Sequence, residues 1–516
     1  MPDSDSELDE QATGPSWRWL ITALLVTGGL ASAAPSSFAK TPVEPGYTIE
    51  LEQTHADNLR VVVALPTGTR EVSVASWGGA DHLPASWSTY VHEVQAVDGE
   101  GKVVPVQLLE HGRWTLPHRQ TPITLTYRVD LSYAEPGWPV GQEQAGWRDE
   151  AAIYSVTRPL FVAPDSWKDI PVRFDLPETW SAHAPWPEDQ DPDAFVVPGV
   201  DELRNNAVVL GTPRVATSTR GGLLVRMILL DEEADTEAVI RVFEAVSKRY
   251  LEIFPDTPTD VFQLVVMHLD VNDGEGFRNG ATFTLDQPLA EASLVGWADL
   301  LAHELLHYWN GRRIRARDRP GHRWFSEGFT EFVSNRALVH TGVLPPGYME
   351  SKIEKNAGLY SLYLHYRDDA SRGLAAAGAH GGLERLAVYN GGWLLAMCSD
   401  LIIRQHTGGA SGVERLLGIL YTRFGGQDHR FTAEDLRTAA SEVGGPALAE
   451  LFDTHVTGNE PVDQFACLGK AGLGLSVAGY SGEAWIYELD SPAKRQLEAK
   501  SALLGESTTS PVSTPR

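Results

Sequence analysis

The chain has 516 residues, 42% of them hydrophobic and 22% charged, and a formal charge of -27 from 69 acidic against 42 basic side chains. That length exceeds one compact core, so about two to four domains are expected. So acidic a chain repels phosphate backbones, which excludes general nucleic-acid binding. Two cysteines, Cys398 and Cys467, exclude a disulfide-stapled scaffold and a cysteine zinc cluster. Cys398 lies in an apolar helical stretch and reads as a buried thiol rather than half of a pair.

Residues 1–40 read as a signal peptide or membrane anchor. The run "LITALLVTGGLASAA" follows Trp17-Arg18-Trp19 and ends in small residues. It is shorter than the ~20 residues that span a bilayer. The leading "MPDSDSELDE" is acidic where a routine signal peptide is basic, which keeps an uncleaved anchor open. Export to the periplasm or cell envelope is the expectation. No later segment reads as a membrane span.

Residues 41–220 read as a β-sandwich-like domain. "ITLTYRVDLSY" alternates cleanly, with Ile123, Leu125, Tyr127, Val129 and Leu131 on one face, the period of a half-buried strand. Residues 221–345 form a mixed block. "LLVRMILL", "VFQLVVMHL" and "ATFTL" read as strands, and Asp235 or Thr236 caps a helix whose Val239, Val242, Phe243, Val246 and Tyr250 share one stripe. Residues 346–470 read as helical, with Ser411/Glu414 and Thr432/Asp435 spaced as capping boxes. Residues 471–516 read as a tail, partly disordered at its polar, proline-bearing end. The fold class is therefore multidomain α+β, a β-rich region followed by a mixed and then a helical one. There is no internal repeat, and the "GLGL" near Gly472 lacks the setting of a dinucleotide loop.

Within the mixed block, "LLAHELLHYWNGRRIR" places His303 and His307 one helical turn apart on one face. Two imidazoles so placed suit a single zinc ion, and Glu304 beside them sits where a base for an activated water belongs. A third ligand is required, and "RWFSEGFTEF" supplies Glu327 on a segment whose Trp324, Phe325, Phe329 and Phe332 are spaced to pack inward. Glu331, one turn further, is placed to hydrogen-bond a ligating histidine. The intervening "RRIRARDR" reads as a solvated basic loop.

"HELLHYWNGRRIR" followed by "WFSEGFTEF" resembles the glycyl aminopeptidase family of gluzincin metallopeptidases, and the likeness covers most of the chain. The resemblance implies a thermolysin-like catalytic domain over residues 221–345, one Zn2+ held by His303, His307 and Glu327, and Glu304 as general base. It also makes "VYNGGWLLAM" the tyrosine segment of these enzymes, with Tyr389 as transition-state stabiliser. Nineteen residues separate His307 from Glu327, one more than in the larger related aminopeptidase family. Relatives bind the substrate amine through a glutamate on a glycine-rich strand, which makes Glu275 of "NDGEGFRNGATFTL" the candidate substrate-binding residue. Aligned on Arg278-Asn279, Glu275 is displaced by one position, and one position turns a strand side chain to the opposite face. The PDZ domain that family members often carry after the helical region is expected to be missing. The implied activity is peptide hydrolysis by an aminopeptidase favouring N-terminal glycine or alanine. An endopeptidase on the same site and a zinc-containing binding protein stand as alternatives.

Overall fold

The computed structural model describes residues 44–490, apart from 52–57, 78–82, 132–145, 192, 221, 231–234, 258, 270–271, 290–291, 368–372, 427–428 and 481–484. The expected signal peptide or anchor lies outside the described residues.

The β-rich region contains a six-stranded sheet ordered Ala194–Gly199, Lys168–Asp175, Gly46–Leu51, Asn58–Ala64, Ile123–Asp130, Val91–Asp98. Its pairs are antiparallel except for Gly46–Leu51 beside Lys168–Asp175. A four-stranded sheet, with Ala152–Val156 and Ala207–Gly211 at its centre, contributes to the same core. The alternation read from the sequence is realised: Ile123, Leu125, Tyr127, Val129 and Leu131 are all buried.

A five-stranded sheet follows, ordered Arg214–Arg220, Leu223–Leu229, Val261–His268, Gly280–Leu285, Asp273–Gly276. The middle three strands are parallel and the outer two antiparallel. Ile228, Val265, Met267 and Phe277 join the core of the β-rich region, while Met227, Leu264, Val266 and Phe283 face the helices. Burial on both faces explains why these strands read as continuous apolar runs instead of alternating ones. Asp235 caps the helix Thr236–Ile253, accepting from the Ala238 N–H at 3.0 Å.

The helices after Pro345 share one hydrophobic core with this sheet and the helices before them, running from Leu223 to Leu473. Glu384–His406 is long and apolar enough to cross a membrane, against the sequence expectation, but 89% of its apolar window is buried inside the protein. It is the central helix of this core. Thr432 and Asp435 form the expected capping box. Ser411 does not: Gly412 is the N-cap, and the Val413 N–H bonds the buried Asp400 carboxylate at 2.9 Å.

Two further readings are corrected. Cys398 is not a free thiol but is bonded to Cys467, because Gln464–Lys470 packs beside Gly392–His406 with the two Cα atoms 5.3 Å apart. The stretch after residue 471 also carries structure, a hairpin of Gly474–Tyr480 and Trp485–Asp490. The Tyr487 hydroxyl shares a 2.9 Å hydrogen bond with Ser361 on the helix Gly347–Tyr366, and Glu354 accepts from the Leu489 N–H. Residues 491–516 lie outside the described residues.

The disulfide spans a sequence separation of 69 residues, so a Cys398→Ala/Cys467→Ala variant should lose about 2–4 kcal/mol of stability, read as an earlier midpoint in denaturant unfolding.

Candidate active site

The motif helix is Leu294–His307, opened by Ser293, whose side chain accepts from the Gly296 N–H at 3.3 Å. Trp297, Leu301 and Leu305 anchor it in the core, and this turns His303, Glu304 and His307 towards a cavity of about 1170 Å³. The two imidazole centroids are 4.6 Å apart. Each ring is fixed from behind: His303 Nδ1 lies 2.8 Å from Glu331 Oε2, and His307 Nδ1 lies 3.0 Å from the Asn310 carbonyl. With both Nδ1 atoms donating, both Nε2 lone pairs are free to take a metal.

Glu327 completes the convergence. Its Oε2 lies 3.3 Å from His307 Nε2 and 3.7 Å from His303 Nε2. It belongs to a π-helical turn, Trp324–Phe329, whose Trp324, Phe325 and Phe329 are buried. A second π-helical turn, Ala387–Gly391, carries Tyr389, and such turns recur at functional sites. The two meet through glycines. A Cβ on Gly328 would stand 2.3 Å from the Gly392 carbonyl carbon, and one on Gly392 would stand 2.5 Å from the Trp324 carbonyl oxygen. That contact brings Tyr389 to the wall of the cavity that His303, Glu304, His307 and Glu327 line.

Glu331 is more than an orienting acceptor. Its other oxygen receives a 2.6 Å hydrogen bond from Lys352 Nζ, which also bonds Asp299 Oδ2 at 2.6 Å. Burial alone would raise the Glu331 carboxyl, but Lys352 and His303 hold it far below the usual carboxylate range. Burial likewise opposes ionisation of Glu327, and the imidazoles of His307 and His303 overcome it, keeping that carboxyl well below its ordinary value. Glu304 differs: burial pushes its carboxyl up, and the two histidines offset this only in part. The ligand carboxylate is thus held charged while the neighbouring one is left basic enough to take a proton. The Glu327 charge also raises the Tyr389 hydroxyl, with burial adding to it, so the phenol is a donor at neutral pH.

One wall of the cleft is the edge strand Asp273–Gly276. A Cβ on Gly274 would lie 2.7 Å from Glu304 Oε1, and one on Gly276 would lie 3.1 Å from Glu304 Oε2 and 3.0 Å from Arg312 Nη2. Glycine at both positions lets the strand approach Glu304. Glu275, between them, lines the same cavity and is ion-paired with Arg158, a buried arginine of the β-rich region.

The structure therefore brings His303, Glu304, His307, Glu327, Glu331 and Tyr389 together, and Glu275 lines the same cavity while paired with Arg158. One donor atom from each of His303, Glu304 and His307 lies within 4.8 Å of the others. Two fixed imidazole nitrogens and an ionised carboxylate are a donor set that fits a divalent metal such as zinc. Four contributors are absent from the sequence reading: Asp299, Lys352, Arg158 and Asn310. Only Asp299 had a signal, lying one turn before His303 on the same face of the helix.

Residues 46–212 match the Peptidase M61 N-terminal domain, and residues 296–362 match the M61 glycyl aminopeptidase model. With matches to both of its domain models, the chain resembles the M61 glycyl aminopeptidase family. It is a peptidase. No protein of curated function matches it in sequence. Among solved structures it is similar to an aminopeptidase N family protein from Idiomarina loihiensis, with TM-score 0.69 and 17% identity over 84% of this chain and 79% of that one. It is also similar to a two-domain M1 zinc metallopeptidase bound to L-tryptophan, with TM-score 0.52 and 16% identity over 80% of this chain and 94% of that one. An M1 zinc metallopeptidase from Deinococcus radiodurans matches with TM-score 0.50 and 16% identity over 81% of this chain and 95% of that one. At these identities the three neighbours establish the shared aminopeptidase fold.

Lys352→Met would leave Asp299 and Glu331 facing each other without their cation. We expect a stability loss of about 3 kcal/mol or more and metal affinity weakened about 10–100-fold, measured by thermal unfolding and by chelator competition.

Proposed function

We propose that this peptidase is a zinc-dependent aminopeptidase that hydrolyses peptide bonds after small N-terminal residues, glycine or alanine. The observation that carries the metal-dependent reading is the convergence of His303 Nε2, His307 Nε2 and Glu327 Oε2, with both histidines fixed at Nδ1. The preference for small residues rests on the glycyl aminopeptidase family that the chain resembles. Zinc is favoured by the donor set and by the M1 neighbours described as zinc enzymes. When bound it would supply Lewis acidity, polarising the scissile carbonyl and lowering the pKa of a coordinated water.

The chain's own residues would do the remainder. Glu304, pushed up by burial, takes the proton of the attacking water and passes it to the departing amine. Tyr389 donates a hydrogen bond to the oxygen that gains charge, a contribution of about 3 kcal/mol. The unpaired edge of Asp273–Gly276 lines the cavity, where an extended peptide can lie as an added strand.

A second reading has a specific observation behind it. Arg158 engages one oxygen of Glu275 and so competes with a substrate amine for that carboxylate; an enzyme that does not need the free amine would also cut peptides with blocked N-termini. Matched glycine- and alanine-led peptides, free and acetylated, separate the two. Cleavage of only the free peptides supports the aminopeptidase, and cleavage of both supports an endopeptidase. We also infer export, because the Cys398–Cys467 bond suits an oxidising compartment; the protein and its disulfide recovered from the cytosol would contradict this.

Glu304→Gln should retain one zinc per chain and lose nearly all turnover, whereas His307→Ala should lose the metal itself, both read by elemental analysis beside a peptide assay. Tyr389→Phe should lower kcat about 10²-fold with KM little changed.

A further inference from the structure

The loop joining the two metal-binding segments, residues 308–323, is the most basic stretch of an acidic chain, and the chemistry above makes no use of its charges. Arg312, Arg319 and Arg323 line the cavity from this loop. Elsewhere the guanidinium groups of the chain hold carboxylates: Arg226 binds Glu188, Arg278 binds Glu202, and Arg336 binds Asp400. Among the described residues, none of the three loop arginines has a carboxylate within ion-pair distance.

Arg312 is the most informative of them. The point where a Cβ on Gly276 would stand lies 3.0 Å from Arg312 Nη2 and 3.1 Å from Glu304 Oε2, so the guanidinium sits beside the base rather than at the rim. Its two nearest carboxylates are committed elsewhere: Glu275 is ion-paired with Arg158, and Glu304 serves as the base. Burial lowers Arg312 from its ordinary pKa, as expected of a cation short of counter-charge. Arg317 of this loop is exposed and lines no part of the cavity, whereas Arg312 and Arg323 are half-buried in its wall and Arg319 stands at its exposed rim.

We infer that Arg312, Arg319 and Arg323 form a subsite for a substrate carboxylate close to the bond that is cut. That carboxylate is either an acidic side chain or a free C-terminus. A guanidinium donates two parallel hydrogen bonds to a carboxylate, which gives direction as well as attraction. The local cations also offset the repulsion that a chain of charge -27 exerts on an acidic peptide. This inference rests on the peptidase reading and adds its substrate class.

The test uses two matched pairs on the zinc-loaded full chain: Ala-Ala-Ala as acid and as amide, and the amides of Ala-Glu-Ala and Ala-Gln-Ala. One charge-assisted contact predicts that at least one carboxylate-bearing member is cleaved with kcat/KM about tenfold or more above its partner. The first pair reports a free C-terminus and the second an acidic side chain. Arg312→Gln should bring the ratio close to one, and so should an Arg319→Gln/Arg323→Gln double variant if Arg312→Gln does not fold. Equal kcat/KM within both pairs in the unaltered enzyme would overturn the subsite, as would a ratio that survives in every variant that folds. Calorimetric binding of the same pairs to Glu304→Gln reads the same ratio without turnover. Absence of all cleavage therefore defeats the peptidase reading, and the binding ratio still decides the subsite.

Discussion

His303, Glu331, Lys352 and Asp299 form a chain of hydrogen bonds of 2.6–2.8 Å among side chains withdrawn from water, and the site depends on their mutual compensation. An isolated ion in such a place costs several kcal/mol, and one lysine here hydrogen-bonds two carboxylates at once. Each charged member of the relay comes from a different helix: Asp299 from Leu294–His307, Glu331 from Thr330–His340, and Lys352 from Gly347–Tyr366. The same bonds that stabilise the charges therefore fix how these helices sit. The imidazole of His303 inherits that fixed position, with its other nitrogen 3.7 Å from Glu327 Oε2.

Glycines set the remaining distances. Gly328 and Gly392 let the two π-helical turns touch, so that a ligand carboxylate and a phenol from segments about sixty residues apart share one cavity wall. Gly274 and Gly276 do the same for the edge strand and Glu304. At each position a methyl group would intrude on backbone or on the base itself, so these contacts cannot be widened locally and any adjustment must move a whole element.

Much of this was legible because it is periodic. The histidine spacing, the Val239–Tyr250 stripe, the alternation of Ile123–Val129 and the aromatic spacing around Glu327 all follow from 3.6 or two residues per repeat, and the structure realises each. What escaped depends on contacts between distant segments. Nothing near Lys352 marks it as the partner of Glu331, and nothing near Cys398 says that Gln464–Lys470 will lie alongside. Ser411 had the right spacing for a cap and lost to Asp400, which comes from the preceding helix. The hairpin after Gly474 was missed because its strands are short and exposed, and packing on Gly347–Tyr366 rather than pattern holds them.

Glu275 shows what a motif leaves out. Matching residue types makes it the amine anchor, and it does line the cavity, but its carboxylate already has a partner. The structure places it against Arg158. That arginine lies between the rings of Trp87 and Phe277, its guanidinium carbon 5.7 Å and 5.3 Å from their centroids, within the core of the β-rich region. The neighbouring Arg278 and Asn279 are likewise tied to Glu202 and Asn206 of that region. The strand that walls the cleft is thus held from behind by the β-rich region, which also covers one face of the catalytic sheet through Ile228, Val265 and Met267. The β-rich region is consequently part of the active site's construction, and a change at Arg158 would reach the cleft through Glu275 although it lies more than a hundred residues away in the chain.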